Sequence, residues 1–405
     1  MVTAAAIVKE VASGLQRKQS MQVAKIMAIA YDNASPNSFN ENDRVVEAAC
    51  RSTFRGGGEP YCDVMIALLK AKRLAYEHKY VLAYEEHIAG FIKFLEIFRE
   101  ETGWLVPWLH VMVYDSRILA RHADKEASTK RGDEINDNVK NAEQHLKRAF
   151  SMTVNDRGSP DVSKKPGTLY IVNQLFKIYF HLNAISLCRN LIRAVELQDF
   201  DRFPKRDQVT YQYYLGRIYM FEDQYHKAEE CLNFAWRHCH KAYTRNKRQI
   251  LQFLVPVKLI LGVVPSPELF QTYELDEYVG IATSIQQGNI SEFNNSMSKF
   301  EDQFVQEGVY LLMEKLRPIV MRNLLKKVYL IREKKNQLKL ADFQLAIDAV
   351  GGAGMDMDDI ESLVANLIFK GYVKGYISHK LKVLVLSKST PFPVITDVIK
   401  DTATA

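Results

Sequence analysis

Apolar residues recur at intervals of three and four over most of this chain, and alternation with period two appears only near its end. That change of period fixes the architecture, because an apolar stripe at period 3.6 buries only on a helix and strict alternation only in a half-buried strand. In residues 61–155 the helical pattern shows at Met65, Leu68 and Leu69, and again at Ile88, Phe91, Ile92 and Leu95. A loop with Gly56, Gly57, Gly58 and Pro60 precedes this block. Residues 151–168, SMTVNDRGSPDVSKKPGT, show no periodicity and predict a protruding, mobile loop.

Two helical hairpins follow. Leu175, Ile178, Tyr179 and Leu182 make one apolar face, and Ile185, Cys188, Leu191, Ile192 and Val195 a second, with the turn near Asn183. In the next hairpin Leu215, Gly216, Tyr219, Ala228, Leu232 and Ala235 follow tetratricopeptide offsets. Gly216 and Ala228 are small enough for two helices to approach closely. No clean 34-residue repeat runs along the chain, so the expectation is an irregular helical-repeat stack. Gly288 and Asn289 predict a turn within it, and Leu316, Ile319, Val320, Leu324, Val328 and Ile331 the buried stripe of a longer helix.

The texture changes after that helix. Leu338 and Leu340 suggest a short strand, and a short helix and a GGAG turn (residues 351–354) follow. The next helix has Asp356 as N-cap and Gly371 as its stop. YVKGYIS and KVLVLSK then pair as a ribbon containing Tyr372 and Tyr376, with residues 379–382 at its tip. Helix, strand, helix, helix, ribbon is the order of a winged helix. The fold class expected is an all-α right-handed, tetratricopeptide-like stack closed by a C-terminal winged helix. Its parts are a helical or poorly ordered segment (1–60), the stack (61–310), the winged helix (311–393) and a tail (394–405).

No chemistry of reaction stands out. GGAG lacks a phosphate-loop lysine. His238, Cys239 and His240, with Cys231, sit near one helix end, where neighbouring side chains point apart, so no metal, cofactor or catalytic residue is expected. The five cysteines form no CxxC pair and fit reduced thiols of a nuclear or cytosolic protein. The N-terminal residues lack the pattern of a signal peptide, and Gln252, Pro256 and Lys258 interrupt the greasiest run, so no membrane span is expected.

Charge points to contact. From Glu314 to Lys388 there are fourteen basic residues against eight acidic ones, a surplus equal to the +6 of the whole chain. The third helix of the winged unit opens with Asp356, Asp358, Asp359 and Glu361, which repel phosphates and argue against base reading in a major groove. Arg322, Lys326, Lys327, Lys334, Lys335, Lys370, Lys374, Lys380 and Lys382 are the candidates for sequence-independent phosphate contact. Arg245, Lys247 and Arg248 form a second candidate cluster. A solvated charged face, or a seat for an acidic protein, accounts for the same residues. Tyr372, Tyr376 and His379 are candidate partner contacts, with core packing as the alternative for the tyrosines.

The blocks NQLFKIYF, LIRA, VTYQYYLGR, NKRQILQFLVPVKLILG, RNLLKKVYL, ANLIFKGYVKGYISH and GWLVPWLHVMVYDSRILARHAD resemble the PCI domain-containing protein 2 family. The stack-plus-winged-helix order is that of the PCI domain, the scaffold of the proteasome lid, the signalosome and translation initiation factor 3. The resemblance covers residues 61–393. It implies a non-enzymatic subunit of a nuclear, pore-associated messenger-RNA export assembly, the transcription-and-export complex 2. Its implied partners are a large scaffold like germinal-centre-associated nuclear protein, a small acidic disordered subunit shared with the proteasome, and RNA or single-stranded DNA. The alternative implied is an adaptor of the signalosome or a proteasome-lid-like assembly with no nucleic-acid role.

Overall fold

The computed structural model describes residues 3–29, 42–55, 58–352 and 354–400. Gly56 and Gly57 of the expected loop, Ala353 of the GGAG turn and residues 401–405 of the expected tail lie outside them. The chain divides into two compact units, Met1–Tyr211 and Gln212–Ala405.

The first unit is built from helix pairs. Its opening residues form α1 (Ala4–Gln16), α2 (Ser20–Met27) and α3 (Asp43–Thr53). Thr3 and Asn42 cap α1 and α3 by accepting bonds from Ala6 and Val45 N–H groups. Next come α4 (Glu59–Tyr76), α5 (Tyr80–Glu100), α6 (Val106–Arg131) and α7 (Asp137–Val154). Phe91, Phe94, Phe98 and Trp108 are fully buried among them, with Phe94 and Trp108 ring centres 4.9 Å apart. Then follow α8 (Thr168–His181) and α9 (Cys188–Glu196), with Asn183 at positive φ in the turn between them.

The segment after α7 is tethered, although residues 157–162 are exposed. Asp156 accepts bonds from Ser163 Oγ (2.8 Å) and Lys164 N (2.9 Å), and Gly103 N donates to Val162 O at 2.7 Å. Lys164 Nζ donates to Arg99 O at 2.9 Å above the Phe98 ring, and Ser163, Lys164 and Thr168 are buried. One aspartate and one lysine thus tether a stretch whose composition predicts mobility.

α10 (Lys205–Phe221) crosses the division at Tyr211. Within the second unit α11 (Tyr225–His238) completes the tetratricopeptide-like hairpin. A Cβ on Gly216 would stand 2.7 Å from Leu232 Cγ, so only glycine permits this approach. α12 (Thr244–Ile260), α13 (Pro267–Thr272), α14 (Asp276–Gln287), α15 (Ile290–Lys299), α16 (Glu301–Glu307) and α17 (Tyr310–Glu314) extend the stack. Gly288, at φ +64°, turns the chain between α14 and α15, and a Cβ there would lie 2.6 Å from the Leu324 nitrogen.

α18 (Arg317–Ile331) leads into β1 (Gln337–Lys339), α19 (Leu340–Ala349), α20 (Met357–Phe369), β2 (Gly375–Ser378), β3 (Val383–Leu386) and the short α21 (Ile395–Val398). The strands form one antiparallel sheet in the order β1-β3-β2. Leu338, Leu384 and Leu386 are buried on its inner face, with Phe343, Ile347, Ile360, Val364 and Leu367 from α19 and α20 in the same core. This is the expected winged helix, with three local corrections. Leu340 starts α19 instead of ending the strand. Ile331, at the last position of α18, is 78% exposed. Tyr372 precedes the ribbon, directly after Gly371 at φ +77°, and is buried in the core of this unit.

Candidate nucleic-acid interface

The third helix, α20, begins with a capping box. Asp356 Oδ1 accepts from the N–H groups of Asp358 (2.9 Å) and Asp359 (2.8 Å), and Asp359 Oδ2 accepts from Asp356 N at 3.1 Å. The N–H groups that would greet a phosphate here are occupied by the chain's own carboxylates. The wing tip folds back onto the same turn. Lys382 Nζ reaches Glu361 Oε2 (2.6 Å) and Asp358 Oδ1 (3.1 Å), and His379 Nδ1 lies 2.7 Å from Glu361 Oε1. Lys382 and then His379 hold the Glu361 carboxyl below its ordinary range, and Glu361 holds the Lys382 ammonium above its own. Of the expected contact residues, Lys382 and His379 are therefore committed to the chain itself.

Arg322 is a correction. Only 6% exposed, it donates to Pro393 O (2.6 Å) and Asn323 Oδ1 (2.8 Å) and lies against the Phe392 ring. Burial pulls its pKa down. It pins the segment after β3 to α18 and is closed to phosphates. Tyr372, also buried, is likewise closed to partners. Tyr376, by contrast, is 64% exposed.

Lys326, Lys334, Lys370, Lys374 and Lys380 are exposed and make no side-chain hydrogen bond or ion pair among the described residues. Lys327 donates to Gln287 O at 2.7 Å, and Lys335 stands 3.8 Å from Glu333. The sheet gathers some of them. β1 and β2 both pair with β3, so Gln337, Val385 and Tyr376 form one outward row and Lys339, Val383 and Ser378 the next. Ser387 N donates to Lys374 O, which extends the pattern by one more row. Lys335 precedes β1, and Lys380 follows β2 at the wing tip. No carboxylate occupies an outward position on these strands. In the sequence Lys339 counts only toward net charge; the period-two pattern of β1 is the signal that places it here.

The second cluster separates. Lys247 is buried, its Nζ 4.0 Å from the Trp236 ring centre and 3.0 Å from Trp236 O. Arg248 donates to the carbonyls of Tyr273 (3.1 Å) and Glu274 (2.9 Å), closing the end of α13. Only Arg245 of the three is exposed. Lys247 and the half-buried Arg248 serve carbonyl satisfaction and packing, not a track for RNA.

Among the described residues no group of three or more His, Cys, Asp or Glu side chains is placed to hold a metal ion. Burial pushes the Cys231 thiol up to about 12, which leaves it a poor nucleophile. Nor is any described helix long and apolar enough to cross a membrane.

Residues 142–279 match the family model for PSMD3-like N-terminal TPR repeats, and residues 297–388 the PCI domain. The chain is 37% identical to PCI domain-containing protein 2 of Danio rerio, covering 84% of this chain and 86% of the relative. It is 36% identical to Enhanced ethylene response protein 5 of Arabidopsis thaliana, over 88% and 85%. A Protein CSN12 homolog of Gibberella zeae is 32% identical, over 77% and 80%. Tetratricopeptide-like hairpins, a PCI winged helix and this similarity along most of both chains agree, and the chain belongs to the PCI domain-containing protein 2 family.

Proposed function

We propose that this chain is a non-enzymatic scaffold subunit of a nuclear, pore-associated messenger-RNA export assembly of the transcription-and-export complex 2 type. Its helical hairpins hold a large protein resembling germinal-centre-associated nuclear protein, and a small acidic subunit binds beside it. Its winged helix touches RNA or single-stranded DNA through Lys326, Lys334, Lys370, Lys374 and Lys380 without reading sequence. The observation that carries this reading is the split among the basic side chains. Arg322, Lys247, Arg248 and Lys382 are consumed internally, while these five lysines remain in solvent with no partner among the described residues. The carboxylate-capped start of α20 opposes a base-reading mode, so contact is through the backbone of the nucleic acid.

Titration of the purified chain with labelled single strands at two salt concentrations, alone and with the large scaffold, tests this. The affinity is expected to fall with salt, with a slope of about 0.7 per phosphate neutralised. No binding at low salt in either form removes the nucleic-acid part. The second reading, an adaptor of the signalosome or a proteasome-lid-like assembly, draws on the PSMD3-like repeat match and the relative named Protein CSN12 homolog. It is favoured if the chain co-purifies with such subunits and binds no single strand.

A further inference from the structure

The outer face of the three-stranded sheet differs chemically from the rest of the winged helix. On the α20 side of the wing, Asp356, Asp358, Asp359 and Glu361 crowd one helix start. On the outer side, the nine positions of three rows hold Lys374, Ser387, Gln337, Val385, Tyr376, Lys339, Val383 and Ser378, with Lys335 entering at the corner, and none is acidic. Val383 and Val385 are half-buried and make a low strip along the middle strand. Tyr376 rises beside it at 64% exposure on the edge strand β2. Its flat apolar ring and polar hydroxyl are a combination enriched at contact surfaces.

Resting on the nucleic-acid reading above, we propose that Tyr376 stacks on an unpaired nucleobase of a single strand laid across this face, with Lys339 and Lys374 holding the flanking phosphates. Strands about 4.8 Å apart put the face within the reach of one or two nucleotides. The ring supplies a platform that any base can use, which keeps the contact independent of sequence. Ser378, Gln337 and Ser387 add neutral donors and acceptors at the margin. A duplex hides its base faces in its own stack, so the site selects single strands. An acidic peptide would use the lysines but leave the tyrosine and the valine strip without a role.

The test is a short labelled oligouridylate and a matched oligonucleotide carrying 2-aminopurine, titrated against the full chain and Tyr376→Ala, Tyr376→Phe and Lys339→Ala. Expected are quenching of 2-aminopurine by the wild type, about a tenfold loss of affinity in Tyr376→Ala with an unchanged salt slope, and retention in Tyr376→Phe. Lys339→Ala is expected to lower the slope by about 0.7. An unquenched probe, with Tyr376→Ala binding as tightly as the wild type, overturns the stacking and leaves the broader phosphate reading standing. A wild type that binds neither oligonucleotide at low salt removes both. Loss of scaffold binding in Tyr376→Ala with unchanged oligonucleotide affinity assigns the face to a protein and also overturns the inference.

Discussion

Lys382 Nζ sits 2.6 Å from Glu361 Oε2, and this pair fastens the tip of the wing to the first turns of α20. It has two consequences for charge: a lysine expected to meet phosphates is withdrawn, and a carboxylate that would repel them is masked. Glu361→Gln removes one negative charge and leaves Lys382 with Asp358 as its one carboxylate partner, so single-strand affinity at low salt is expected to rise roughly two- to fivefold. Lys382→Ala is expected to leave the salt slope unchanged, whereas Lys380→Ala lowers it by about 0.7. Fluorescence anisotropy across a salt series distinguishes these variants, and a slope reduced equally by Lys382→Ala and Lys380→Ala contradicts the assignment.

Arg322 acts as an internal brace. Its replacement by Met leaves the Pro393 carbonyl without its donor and loosens the Phe392 contact. A cost of about 2–3 kcal/mol is expected in urea unfolding of the chain, with no change in the salt slope of nucleic-acid binding. A lowered slope with unchanged stability would return Arg322 to the exposed basic face.

The tetratricopeptide-like hairpin depends on the missing side chain at position 216. A methyl group there meets Leu232 Cγ at 2.7 Å and the Ala228 carbonyl at 3.2 Å. Gly216→Ala is expected to destabilise by about 1–3 kcal/mol through overpacking. Adding Leu232→Ala relieves the clash, so the double variant is expected to lose less than the sum of the single losses; strict additivity in thermal unfolding argues against the close approach.

Two neighbouring carboxyls, one buried and one half-buried, make stability pH-dependent. Glu277 is 3% exposed, and Glu307 accepts from Gln252 (2.9 Å) and Gln303 (3.1 Å) while its Oε2 is buried without a partner. Arg248, 3.4 Å from Glu277, and Tyr278 are the neighbouring titratable groups, and burial raises both carboxyl pKa values above the ordinary 4.5. An acid raised in the folded state contributes most below its unfolded pKa, and that contribution is lost as pH rises through the folded value. Glu307→Gln is therefore expected to stabilise the chain by about 1 kcal/mol at pH 8 and by nothing at pH 4, measured by urea unfolding. Equal stabilisation at both pH values contradicts the burial argument.

Local signals carried most of this fold. The three-and-four spacing gives the helices, Asp356 and Gly371 bracket α20, and the alternation on either side of residues 379–382 gives the ribbon. What the sequence hides is long-range satisfaction of polar groups. Arg322 looks like a surface cation, yet its guanidinium answers a carbonyl 71 residues away. Lys247 lies buried over the Trp236 ring and donates to its carbonyl, and Asp156 turns a loop of Pro, Gly and Ser into a tethered segment. Charge counts locate a basic region, but only tertiary contacts separate the cations facing solvent from those spent inside.

Affinity purification of the tagged full chain from its own cells, followed by mass spectrometry of the intact assembly with and without ribonuclease, addresses the central claim most directly. The result expected is one copy each of this chain, a large scaffold protein and a very small acidic subunit, with associated RNA that ribonuclease removes. Recovery of signalosome or proteasome-lid subunits in their place, with no RNA, contradicts it.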